Sequence, residues 1–284
     1  MIFEWQMAAW FSLNAKRKQL PHALLVSVPA VLGKSGLADA FAQSLLCDRP
    51  KQDGLHCETC QACNWYAQGN HPDFRRLQPE SMAPEAEDEP ASRKEKKKSD
   101  QIRIEQVRAL DDFLAVGTHR GGARVILIDP ADAMNTVAQS ALLKSLEEPP
   151  PGTHYLLVTS RPQRLLATIR SRCMRCPIAL PGRHAAVSWL AGEGMSDAGA
   201  ALDAAAGAPL AALAAAGAEG ARKAFLARLA DPAMDPLSLA QTCESVEPAV
   251  LVGWLQRYQW WLIGASVLAV VVVNMRNFRR GAGS

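Results

Sequence analysis

The 284-residue sequence has almost no charge imbalance: 31 Lys and Arg face 28 Asp and Glu, a formal net charge of +3. A chain whose whole surface served nucleic acid would carry a far larger basic excess, so any DNA contact is expected to be local. A secretory leader is not expected either. The N-terminus, MIFEWQMAAWFSLNAKRKQL, meets Glu4 at once and has neither an uninterrupted apolar core nor a small-residue cleavage site. The expected location is therefore the cytoplasm, where the seven cysteines serve as thiols or metal ligands rather than as disulfides. The apolar run WWLIGASVLAVVVV at 260–273, flanked by Arg257 and by Arg276, Arg279 and Arg280, is 14 residues long, short of the about 17 to 25 that span a bilayer. It reads first as a buried helix, with a membrane segment or a sequence artefact as alternatives. With 49% apolar and 21% charged residues, the chain is of the soluble globular class and long enough for two or three small domains.

Up to about residue 180, short apolar runs alternate with helical patterns. Ala23–Val28, Asp73–Gln78, Val125–Asp129 and Tyr155–Ser160 read as strands. GLADAFAQSLLC, IEQVRALDDFLAVG and TVAQSALLKSLEE repeat apolar residues at helical spacing; in the last, Ala138, Ala141, Leu142 and Leu146 share a face, Thr136 is placed to cap the start, and prolines from Pro149 end it. This alternation predicts an α/β fold with a largely parallel sheet covered on both sides. Residues 80–100, a block of acid followed by a block of base, cannot bury enough apolar surface to order themselves and are expected to be a solvated loop rather than a DNA-binding arm. Beyond Pro181 the chain turns to Ala-rich helices.

Three groups of residues could carry chemistry. CETCQAC places Cys57, Cys60 and Cys63 at two-residue gaps, with Cys47 upstream. Four thiolates suit a closed, structural zinc site; metal-free buried or redox-active thiols are the alternative. Cys173, Cys176 and Cys243 lie apart and read as ordinary thiols. The second group is a phosphate-loop pattern that lacks its first glycine: Gly33, Lys34 and Ser35 fit G-x-x-x-x-G-K-[ST], but Val28 stands where the first Gly belongs, and Pro29 stiffens the turn. A plain strand-to-helix connection competes with nucleotide binding here. The third is Asp129 at the end of VILID, placed to hold Mg²⁺ as a Walker-B acid does. In AAA+ ATPases the next residue is the glutamate that orients water. This chain has Pro130, and Asp132 is a poor substitute. Two departures in two elements make hydrolysis by the chain improbable.

PHALLVS, the cysteine module after the first helix, HPDF, IRIEQVR, ALLKSLEEPP and Ser171-Arg172-Cys173, in this order, resemble the delta-prime family of bacterial DNA polymerase III clamp-loader subunits, within the AAA+ clamp loaders. The related gamma/tau subunits share the cysteine module and the Ser-Arg-Cys motif but keep an intact P-loop and a D-E-x-x sequence, so Val28 and Pro130 favour delta-prime. The resemblance implies a RecA-like AAA+ domain over 1–180, with a zinc module at 47–63 and the loop at 80–100. A helical lid over 181–218 and a helical collar over 219–284 would follow, the collar atypical or truncated after about residue 257. It further implies that Arg172, with Ser171 and Cys173, forms an arginine finger for ATP held by a neighbour. Lys34, Ser35 and Asp129 would be a degenerate nucleotide site, with ATP doubtful on this chain. Zinc would sit on Cys47, Cys57, Cys60 and Cys63. The implied partners are gamma/tau and delta subunits in a hetero-oligomer, the sliding clamp, and primed DNA through the complex, with no membrane. An active gamma/tau-type ATPase and a membrane-anchored zinc protein are the competing readings.

Overall fold

The computed structural model describes residues 2–28, 32–83 and 98–229. Helix α1 (Met7–Ala15) leads into strand β1 (Ala23–Ser27), helix α2 (Lys34–Leu46), helix α3 (Gln61–Ala67) and strand β2 (Phe74–Leu77). Helix α4 (Ile104–Ala115), strand β3 (Arg124–Ile128), helix α5 (Thr136–Glu147), strand β4 (Thr153–Thr159), helix α6 (Ala167–Arg172) and strand β5 (Met174–Pro177) continue the alternation. Helices α7 (Arg183–Gly192), α8 (Ala198–Ala204) and α9 (Pro209–Leu229) follow.

The five strands form one sheet in the order β2-β3-β4-β1-β5, every pair parallel. Alternate residues of the central strands feed two cores. Leu24, Val26, Leu127 and Val158 pack with Trp10 and Phe41 on the α1–α2 face, while Leu25, Ile126, Ile128 and Leu157 pack with Leu110, Leu142 and Leu146 on the α4–α5 face. Continuous apolar strands are what two covered faces require. The result is the expected α/β fold, a parallel sheet covered on both faces.

Local details differ from the sequence reading. Helix α5 buries Ala138, Leu142 and Leu146 as expected, but its cap is Asn135, whose Oδ1 accepts from the Ala138 N–H at 2.9 Å; Thr136 lies one residue inside. Strand β5 was not anticipated, because MRCP is four residues long and buries only Cys176. The charged segment is tied at its base: Glu80 lies in a 3-10 turn, Oε2 accepts from the Ser99 N–H at 3.2 Å, and Oε1 pairs with Arg103 at 3.5 Å. Cys173 and Cys176 are buried. Cys243 and the run at 260–273 lie outside the described residues. Residues 1–212 make one compact unit and 213–284 a second, described only up to Leu229. Among the described residues no single helix is long and apolar enough to cross a membrane.

Candidate functional site

A parallel sheet offers its ligands the C-terminal ends of its strands. There the fold brings Lys34, Ser35 and Asp129 together: Lys34 opens α2 after β1, and Asp129 follows β3. Burial pushes the Asp129 carboxyl up, opposed by a hydrogen bond from the Ser35 hydroxyl and by the charges of Arg76 and Lys34. Burial lowers Lys34, and Asp129 and Asp132 partly restore it. Asp132 is turned toward β4, where its Oδ1 accepts from Thr159 Oγ1 at 2.6 Å. At Pro130, joined to Asp129 by a cis peptide, no side-chain acceptor stands where a water-orienting carboxylate belongs.

The approach to this turn is occupied from within the chain. Gly33, at φ 73°, takes the left-handed conformation that glycine adopts freely, and a Cβ there would lie 2.6 Å from the Phe3 ring. The Leu32 carbonyl accepts from Gln6 Nε2 at 2.7 Å and from Trp5 Nε1 at 3.3 Å. Phe3 and Trp5 stack at 4.7 Å, and Trp189 of α7 meets both edge-on. Sequence reasoning missed this cover. Its anchor is a backbone carbonyl, which leaves no mark in the sequence.

Arg172 sits near the opposite, amino ends of the strands. It ends α6 two residues before Met174, which pairs with Leu24 at the start of β1, whereas Lys34 follows the end of β1. The depth of a five-residue strand, about 16 Å, separates the two ends. Arg172 Nη2 meets Glu147 Oε1 at 2.7 Å, and Nη1 donates to the Thr168 carbonyl at 3.0 Å. Ser171 Oγ donates to the same carbonyl at 3.0 Å. Cys173 points into the core beside Ile169, and burial pushes its thiol up to about 11. It anchors the end of α6 rather than offering a thiolate.

The four predicted cysteines converge. Their sulfurs lie within 4.8 Å of one another, with Cys47–Cys63 at 3.6 Å, Cys47–Cys60 at 3.9 Å and Cys57–Cys63 at 4.0 Å. A tetrahedral ion with metal–sulfur bonds of about 2.3 Å sets sulfurs about 3.8 Å apart. The residues therefore fit a closed metal site. Backbone N–H groups of Cys57, Cys60 and Cys63 donate to Cys47, Cys57 and Cys60 sulfurs at 3.3 to 3.4 Å. Local N–H donors bring the Cys57 thiol down to about 6, whereas burial pushes Cys63 up to about 12 and raises Cys47. The module is fastened to the domain by Trp10 Nε1 donating to the Asp53 carbonyl at 2.8 Å. Its turn at Gly54, φ 83°, leaves no room for a Cβ beside Asn14.

A parallel sheet in this order, with a lysine opening the helix after β1 and an aspartate just beyond β3, defines an α/β domain that gathers these side chains at the carboxyl ends of its strands, where such sheets bind their ligands. The family model described as DNA polymerase III, delta subunit, matches residues 5–181, and the chain belongs to that family. The DNA polymerase III subunit delta' of Pseudomonas aeruginosa is 44% identical over 190 residues, covering 67% of this chain and 52% of the relative. The subunit delta' of Escherichia coli is 37% identical over 195 residues, covering 68% and 53%. The chain thus spans about half the length of the curated relatives it matches. A solved gamma subunit-related protein of DNA polymerase III from Thermotoga maritima aligns over 88% of this chain and 77% of its own, with 18% identity and a TM-score of 0.47.

Proposed function

We propose that the chain is a non-hydrolysing, delta-prime-type clamp-loader subunit of DNA polymerase III. It supplies Arg172 to ATP held by a neighbouring ATPase subunit and helps to load the sliding clamp onto primed DNA. The observation that carries this reading is the placement of Arg172 toward the end of the strands opposite Lys34 and Asp129. A guanidinium there is remote from the chain's own phosphate-loop turn and, in this reading, serves a phosphate on another chain. A planar, permanently charged fork suits charge building up on a transferred phosphoryl group. The missing glutamate at Pro130 and the aromatic cover over Gly33 support the non-hydrolysing half of the reading.

In this reading residues 1–180 are the AAA+ domain, 181–218 a lid and 219–284 a collar region. The partners are gamma/tau and delta subunits in the cytoplasm. Zinc is the metal that best suits four thiolates, and held by Cys47, Cys57, Cys60 and Cys63 it would cross-link the module without an open position for chemistry. Steady-state ATP turnover by the purified chain separates this reading from an active gamma/tau-type ATPase. Turnover is expected to stay at background, and Pro130→Glu alone is expected not to create it. Hydrolysis that disappears in Lys34→Ala would assign the chain to the active class.

A further inference from the structure

We propose that Glu147 is a positioning residue for the Arg172 fork, holding one edge of the guanidinium so that its other donors face a phosphate on the neighbouring chain. This rests on the arginine-finger reading above. Arg172 is clamped from two elements: Glu147 at the end of α5 takes Nη2 at 2.7 Å, and the Thr168 carbonyl, one turn back on α6, takes Nη1 at 3.0 Å. A guanidinium has five N–H donors, so donors remain for an anion after both anchors are made. The Arg172 side chain is 35% exposed, so it is not sealed in the core.

Glu147 is itself well placed to act as a fixed point. Leu146, its predecessor, is buried against the α4–α5 core, and Pro149 and Pro150 stop the helix just beyond it. Its carboxylate is half exposed, so the pair with Arg172 is screened and weak by the standard of buried ion pairs. That weakness suits the task. The contact favours one arrangement of a long, flexible side chain, yet it yields when a polyphosphate competes for the fork. Simple electrostatics points the other way, since a carboxylate beside the finger repels the same phosphate. The two effects predict opposite signs when Glu147 is removed.

The test is steady-state ATP hydrolysis by the reconstituted clamp-loader complex, comparing Glu147→Ala, Glu147→Gln, Arg172→Ala and the double variant Glu147→Ala/Arg172→Ala. Positioning predicts that Glu147→Ala lowers kcat by about two- to fivefold, the size of effect an exposed ion pair can exert, with KM for ATP nearly unchanged. Glu147→Gln, which keeps an acceptor, is expected to recover part of the loss and also serves if the alanine variant does not fold. In the Arg172→Ala background the Glu147 substitution is expected to have no further effect. An unchanged or raised kcat in both Glu147 variants would overturn the positioning role, as would an equal loss with and without Arg172. If Arg172→Ala alone leaves hydrolysis at the unmodified rate, the finger reading falls, and the role of Glu147 falls with it.

Discussion

Arg124 and Arg172 both donate to carbonyls of the α-helices beside them, but their surroundings set them different tasks. Arg124 is 2% exposed at the start of β3; Nη1 donates to the Leu114 carbonyl at 3.1 Å, Nη2 donates to the Val116 carbonyl, and the Phe113 ring lies 4.8 Å from the guanidinium. It closes the C-terminus of α4, where a positive charge is favoured by the helix dipole. Arg124→Ala is expected to cost about 2 to 4 kcal/mol in urea unfolding, because the carbonyls at the end of α4 lose the buried, charged donor that closes them. A change below about 0.5 kcal/mol, the usual size at ordinary surface positions, would contradict the capping role. Arg172 is partly exposed and held by one carboxylate and one carbonyl. The two were not distinguishable by residue type. The Ser171-Arg172-Cys173 motif singles Arg172 out in the sequence, whereas its pairing with Glu147 needed the fold to bring α5 and α6 together.

Elements with local causes were readable, and those with distant causes were not. The central strands were legible to within two residues because burial on both faces demands unbroken apolar runs. The cysteine module was legible for the same reason: its ligands lie within a few turns of one another. Strand β5 was illegible because an edge strand needs little apolar sequence, and the N-terminal turn because its partner is the Leu32 carbonyl. Cys60→Ser is expected to lower bound zinc below one equivalent and reduce the thermal midpoint, since metal-binding energy in such modules is folding energy. Burial raises the Cys47 and Cys63 thiols, so a metal must displace their protons, and zinc affinity is expected to rise with pH. Metal analysis and competition with a chelator across pH check both. Metal-free protein with unchanged melting would sink the zinc assignment.

At the scale of the molecule, the buried His71 and the partly buried His154 set a pH dependence. Burial lowers the pKa of His71 and His154 from the ordinary 6.5. Below that value the unfolded chain takes up protons that these folded imidazoles refuse, so stability is expected to fall as pH drops from 7 through 6.5. The urea midpoint should fall over that range, and less steeply once His71 is replaced by Gln; a midpoint that rises on acidification would contradict this sign. The larger division is between the two ends of the sheet's strands. The carboxyl end carries the Gly33-Lys34-Ser35 turn, with Val28 in place of the motif's first glycine and with Phe3, Trp5 and Gln6 packed against it; Arg172 lies toward the amino end. On the proposed reading, function lies at the boundary with another subunit rather than in the chain's own pocket. The most direct measurement is DNA-stimulated ATP turnover by the assembled complex carrying Arg172→Ala, Arg172→Lys or the control Arg170→Ala. Arginine fingers are worth about 10³ to 10⁵ in rate at the site they serve, so both Arg172 variants should slow turnover and clamp loading by about tenfold or more, with assembly retained. Lysine offers a point charge in place of the fork and should rescue little, and Arg170→Ala should matter less. Clamp loading at the unmodified rate with Arg172→Ala would contradict the finger role and return Ser171, Arg172 and Cys173 to packing at a subunit boundary.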